Sequence, residues 1–408
     1  MKRFRWYFLH ALLTILVSLP NVADAQNSHP ISTTDLPLND SVMISLLTCG
    51  PGNQVYSLYG HTAIRYRNKM TNEDYVINYG MFSFHQKHFV LRFIFGLTDY
   101  QMGIIPYSNF IDEYLYEGRW VKEQILNISP TDKHRITLAI HHNYLPENRV
   151  YRYNYFYDNC TTRARNILLD NLSYKVYPRG NQLLNTSFRE EIHKWNQKHL
   201  WARWGNDLLL GMKADRRISY KENEFLPNQL SKDFDRAFFY CKDGQKHKLV
   251  KYSHWLIEPT EFPNTSTSSS WLMDNPIYSI GGFCLVAFFL TIYEYKKRTY
   301  SWAGKIYDNL SWLITGAAGL ILAAMIFSQH PTVSLNLQIL ILNPLHIGLL
   351  VPPFRRNRRF QIYIYICLLC GILGAFLQHY ASGVLLLAFV LSFRAIHVFT
   401  INRKELNT

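Results

Sequence analysis

PENRVYRYNYFYDNCTTRARNILLDNL (residues 146–172) decides the fold. The aromatic run VYRYNYFY (150–157) has the composition of a strand, and ARNILLDNL has the periodicity of an amphipathic helix. Between them, Asp158-Asn159-Cys160-Thr161-Thr162-Arg163 places a thiol where the strand ends and the helix begins. A helix N-terminus offers unpaired N–H donors and the positive end of a dipole. Both lower a thiol pKa from about 8.5 toward neutrality. The same donors suit an oxyanion formed during acyl transfer.

A nucleophilic thiolate needs a base. Upstream, GHTAIRYR (60–67) and DYVINY (74–79) flank the polar turn NKMTNE and read as a hairpin. It carries His61, the natural base, after Gly60, which leaves room for a close backbone approach or a substrate. A third polar group should orient the imidazole. Asn78 on the opposing strand is the first choice, with Asp158 and Tyr79 as alternatives. A helix is expected over 131–145 with Thr131 as N-cap, and another over 186–200. A hairpin, later strands and several helices together indicate an α+β domain. Cys49 and Cys241 are the other cysteines of this region, and a bridge between them would leave Cys160 free. The cysteines and histidines show no metal-ligand spacing and no cofactor motif.

Around this domain the chain changes character. MKRFRW, the apolar FLHALLTILVSL and Ala23-Asp24-Ala25 form a signal peptide over 1–25, with an uncleaved anchor as the alternative. The domain extends over 26–259, and a Ser/Thr-rich linker (260–272) leads into a region (273–408) with five apolar stretches. These run approximately 275–293, 309–327, 333–351, 361–377 and 383–400, each near the length of a membrane-crossing helix. Ten basic residues, Lys296 to Lys305, Arg355 to Arg359, Arg403 and Lys404, follow the first, third and fifth stretches, and the alternate loops have none. By the positive-inside rule the domain lies outside the inner membrane and the C-terminus inside.

The net charge of +14 therefore does not signal nucleic acid. Half of it belongs to the last third, where it sets orientation. The exported part keeps a diffuse excess compatible with an anionic lipid surface. Intramembrane Asn336, Asn343, Pro344 and His346, and His330-Pro331 beside them, are costly unless they face the bundle or a cavity. Cys367 and Cys370, buried among Leu and Ile, read as packing residues.

LLTCGPGNQVYSLYGHTAIRYRN, NYGMFSF, FIFGLTDYQMG and the segment around Cys160, in that order, resemble the DUF4105 family. This is the exported domain of the Lnb-type lipoprotein N-acyltransferases, and the apolar region resembles that of the membrane-bound members. The resemblance implies a circularly permuted papain-like fold related to the NlpC/P60 group, with Cys160 as nucleophile and the preceding His61 as base. It matches no motif to the third residue. The implied activity moves a fatty acyl chain from a membrane phospholipid donor to the α-amino group of the lipid-modified N-terminal cysteine of a lipoprotein acceptor. On that reading Asn159 and Gly60 line the substrate site. Arg163 and Arg165 hold a donor phosphate or merely form a solvated helix face. FVLRFIFGL (89–97) is an acyl groove, a membrane-contacting surface or, preferably, core. The rival readings are a membrane-anchored cell-wall peptidase or amidase of the NlpC/P60 type, and a non-catalytic membrane scaffold.

Overall fold

A computed structural model describes residues 41–82, 87–177, 182–241, 243–259 and 275–405. The signal peptide and the linker expected from the sequence lie outside these residues.

Seven strands form one antiparallel sheet. They are β1 (Val42–Cys49), β2 (His61–Asn68), β3 (Glu73–Met81), β4 (Asp99–Pro106), β5 (Val121–Leu126), β6 (Val150–Arg152) and β7 (Val250–Ile257), in the order β7-β5-β1-β2-β3-β4-β6. β1, VMISLLTC, is apolar at successive positions because both of its faces are covered. Ile44, Leu46, Ile64, Tyr66 and Ile77 face three helices, α3 (Pro130–Tyr144), α4 (Cys160–Asp170) and α7 (Pro227–Arg236). Leu47, Cys49, Ala63 and Val76 face Phe110 and Tyr114 of α2 (Tyr107–Tyr116).

The hairpin expected over 60–79 is β2–β3, with Ala63 opposite Asn78. Three local expectations change. Ser129, not Thr131, caps α3: its Oγ accepts from Asp132 N, and Pro130 takes the first helical position, where its missing N–H costs nothing. The aromatic strand is only Val150–Arg152, because the Asn154 side chain accepts from Phe156 N and Tyr157 N and folds the chain into a turn. The helix expected over 186–200 divides into α5 (Phe188–His193), started by a Ser187/Glu190 capping box, and α6 (Leu200–Leu209). No disulfide forms among the described residues: Cys49 lies in the sheet under Tyr114, burial pushes its thiol up to about 12, and Cys241 is also free.

The C-terminal region is helical, with α8 (Pro276–Lys297), α9 (Trp302–Ile326), α10 (Arg358–Gly374) and α11 (Val384–Glu405). α8 and α9 are long and apolar enough to cross a membrane. The third apolar stretch is not an α-helix. It makes two 3₁₀ turns, Leu337–Leu340 and Pro344–Leu350, because Asn336 and Asn343 cap them through their own side chains and Pro344 follows directly. Gly316 and Gly319 of α9 admit this chain closely, since a Cβ on Gly319 would stand 2.3 Å from the Leu342 carbonyl oxygen. His346 Nδ1 meets Thr315 Oγ1 at 2.8 Å, so this polar group does face the bundle. Lower down, Arg394 of α11 joins Glu294 of α8 (2.8 Å) and Asp308 of α9 (2.6 Å), all three buried.

The two regions are docked through backbone groups. Asn336, Gln338 and Gln378 donate to the carbonyls of Leu208, Asp207 and Leu210 at the end of α6. Gly211 N donates to Thr332 O and Met212 N to Leu335 O. Arg189, wholly buried, holds that end of α6 through Asp207 and Asp215.

Candidate active site

Cys160 is the first residue of α4. Asn159 caps the helix by accepting from Thr162 N, and Thr162 returns a bond to Asn159 N. The helix start is fastened to β2 by the hydroxyls of Thr161 and Thr62, 3.1 Å apart in the core. His61, next to Thr62, thereby comes beside Cys160.

The His61 ring makes two side-chain contacts. Nε2 meets Asn78 Oδ1 at 3.1 Å across the hairpin. The ring also lies beside the Cys160 thiol, within its electrostatic reach. With Nε2 engaged by Asn78, Nδ1 is the nitrogen left for sulfur. A neutral ring protonated on Nε2 donates to Asn78 and offers its Nδ1 lone pair to the thiol. Tyr79 points to the opposite face of the sheet, and Asp158 is taken by Arg163, so Asn78 is the residue that reaches the imidazole.

Charge follows from this geometry. Burial pushes the Cys160 thiol up, but the charge of His61, its hydrogen bond, the Thr62 backbone N–H and the Thr161 hydroxyl outweigh it and bring the pKa down to about 7. Burial pushes His61 down, and the Cys160 thiolate with bonds to Cys160 and Asn78 outweighs that, so the imidazole is raised. Each group favours the charged form of the other. The arrangement suits a thiolate–imidazolium pair at neutral pH.

β3 bulges between Asn78 and Met81, and Gly80 adopts φ +89° within the bulge. A Cβ there would lie 3.7 Å from Cys160 Cβ and 3.9 Å from Tyr151 Oη. Those are ordinary contact distances, so it is the left-handed backbone of the bulge that favours glycine here. Sequence reading missed this residue and the two threonines; the Tyr-Gly pair inside a strand was the available signal.

The other expected site residues are elsewhere engaged. Gly60 has φ +80°, and a Cβ would come 2.5 Å from the Cys49 carbonyl oxygen, so glycine permits the close passage of backbone past β1. The Asn159 side chain is buried, caps α4 and donates to the carbonyls of Tyr155 and Phe225. Arg165 is buried, pairing with Glu224 (3.1 Å) and donating to the Lys221 carbonyl. Arg163 makes a two-pronged pair with Asp158 (2.6 and 2.8 Å) and lies 3.5 Å over the Tyr151 ring. It borders a polar cleft of about 430 Å³ with Asn143, Tyr157 and Asn166. Far from Cys160 in the chain, Cys241, Asp243 and His247 bring three potential metal-ligand atoms within 4.8 Å, a grouping that their spacing did not announce.

Residues 32–184 match the Lnb N-terminal periplasmic domain, and residues 267–405 match the Lnb transmembrane domain. No curated protein and no solved structure matches the chain. With both halves matched in order, the chain belongs to the Lnb-type family: a membrane protein with a periplasmic N-terminal domain and a C-terminal transmembrane region.

Proposed function

We propose that this protein is a lipoprotein N-acyltransferase working through a Cys160 thioester. The observation that carries the reading is the chain of contacts Cys160–His61–Asn78 at a helix N-terminus. The Cys160 thiolate attacks an ester carbonyl of a phospholipid, forming a C–S bond. As the C–O bond breaks, the His61 imidazolium gives its proton to the departing glycerol oxygen, releasing a lysophospholipid. The neutral α-amine of the acceptor then attacks the thioester; a C–N bond forms, the C–S bond breaks, and His61 takes the amine proton. Asn78 keeps the ring oriented through both steps. First-turn N–H groups of α4 face the oxyanion that each addition creates. No metal or cofactor enters this scheme.

Docking of the catalytic domain on the transmembrane region favours lipid substrates over soluble murein, for which a single anchor would suffice. The basic residues after the first, third and fifth apolar stretches support an inner-membrane protein that crosses five times, the third crossing as 3₁₀ turns. His preceding Cys in the chain supports the permuted papain-like relationship, and the domain limits 26–259 and 273–408 belong to the same proposal. The test is the N-terminal lipopeptide. Cells in which Cys160→Ser replaces the wild type should accumulate lipoproteins with a free α-amine, read by mass spectrometry. Fully N-acylated lipoproteins in such cells, with no second acyltransferase present, would end this reading. A loss of murein cleavage instead would favour the peptidase.

A further inference from the structure

Helix α1 (Phe89–Ile94) belongs to FVLRFIFGL, which the sequence places preferably in the core. Only part of it is. Ile94 packs against the core cluster that contains Met325, at the end of α9, and Val333, while Leu91 is 56% and Phe93 48% exposed. The segment is fastened to the loop after α9: Gln329 N donates to Phe95 O at 3.0 Å, and a Cβ on Gly96 would stand 3.1 Å from His330 and Ser328 atoms. Phe327, directly after α9, is 78% exposed. Two exposed apolar residues of the periplasmic domain thus share one level with the outer end of a helix that is apolar enough to cross a membrane. Continuity with the transmembrane region identifies what covers them, since a surface at that depth meets acyl chains rather than water.

The helix also leads inward. Arg92 of α1 pairs with Asp99, the first residue of β4, and Asp99 pairs with Arg152 of β6 at 3.2 Å. Beside Asp99, Tyr100 stacks on Tyr153 at 4.2 Å and lies 4.8 Å from Phe82. Tyr153 and Tyr100 pack against the same core cluster as Cys160. An aromatic row therefore runs from the strand beside α1 into the core cluster that Cys160 borders.

We propose that α1 lies in the outer leaflet through Leu91 and Phe93 and is the threshold over which a phospholipid acyl chain leaves the bilayer, along Phe82, Tyr100 and Tyr153, to reach Cys160. This rests on the acyl-transfer reading for the chain's destination, but the immersion of α1 does not.

Two measurements on the full-length protein in phosphatidylethanolamine/phosphatidylglycerol vesicles test it. In the first, Leu91→Cys in a Cys160→Ser background carries an environment-sensitive fluorophore, with Cys160→Ser alone as the labelling blank. Strong quenching by nitroxide-bearing lipid is expected; a label quenched only by a water-soluble quencher overturns the proposal, whatever the activity. In the second, thioester formation on Cys160 is followed with bilayer phospholipid and with a water-soluble short-chain ester. Leu91→Asp should slow the first at least tenfold and leave the second within twofold. Equal rates for variant and wild type, or an equal fall with both donors, overturn it. If the wild type takes acyl from the soluble ester alone, the phospholipid reading of the site fails, while the quenching result still decides the position of α1.

Discussion

The hydroxyls of Thr62 and Thr161 lie 3.1 Å apart although 99 positions separate them in the chain. Each is the neighbour of a site residue, His61 on one side and Cys160 on the other. Their bond holds His61 and Cys160 side by side. Replacing one partner strands a buried hydroxyl, at about 1–3 kcal/mol, whereas replacing both leaves two apolar groups in contact. Thr62→Val should therefore lower stability more than Thr62→Val/Thr161→Val, measured by denaturant unfolding of the purified domain. The reverse order would show that the bond is incidental.

The thiolate should be titratable in the native protein. Because the Cys160 pKa is lowered to about 7, the reactive form is present above that pH and is lost as pH falls through it. Iodoacetamide labelling of Cys160 should rise with a midpoint near 7. In His61→Ala burial is no longer opposed by the imidazole, and the midpoint should move up. An unchanged midpoint would mean that the helix terminus and Thr62 suffice without His61.

Asn78 touches the imidazole but not the sulfur, which separates its effect from that of Cys160. Cys160→Ala should abolish acyl transfer, a loss on the order of 10³-fold or more. Asn78→Ala should cut kcat on the order of 10²-fold with little change in KM, because the ring loses its tautomer and orientation. A change confined to KM would place Asn78 in substrate binding.

Gly60 predicts a stability effect without direct loss of chemistry. Alanine at φ +80° is strained, and its Cβ would clash with the Cys49 carbonyl. Gly60→Ala should cost about 1–3 kcal/mol, visible as a lower Tm. A neutral result would mean that the β1–β2 connection shifts freely.

Arg394→Ala leaves Glu294 and Asp308 buried without their cation. Breaking such a cluster costs about 3–5 kcal/mol. Solubilised Arg394→Ala should unfold at lower temperature than the wild type, and Arg394→Ala/Glu294→Gln/Asp308→Asn should recover part of the loss. Failure of that recovery would assign the effect to packing.

Much of the site was legible because its signals are local. Cys160 at a strand-to-helix junction, His61 after glycine, and Asn78 on the facing strand all follow from one hairpin and one helix start. The roles of Asn159, Arg165 and Gly60 were not legible, since their partners come from Phe225, Glu224 and Cys49, far off in the chain. The third apolar stretch was misread for a different reason. Hydropathy registers how apolar a segment is, but Asn336 and Asn343-Pro344 decide its backbone. Two capping asparagines and one proline outweigh a run of Leu and Ile when a glycine-bearing helix offers a groove. Cys49 and Cys241 looked pairable because the sequence does not say that one lies inside the sheet.

The carbonyls of Asp207, Leu208 and Leu210, gripped by Asn336, Gln338 and Gln378, give the molecule a fixed gauge. These contacts between the two regions set the position of Cys160 relative to the apolar helices. Cleaved between residues 259 and 275, the two halves should still co-purify.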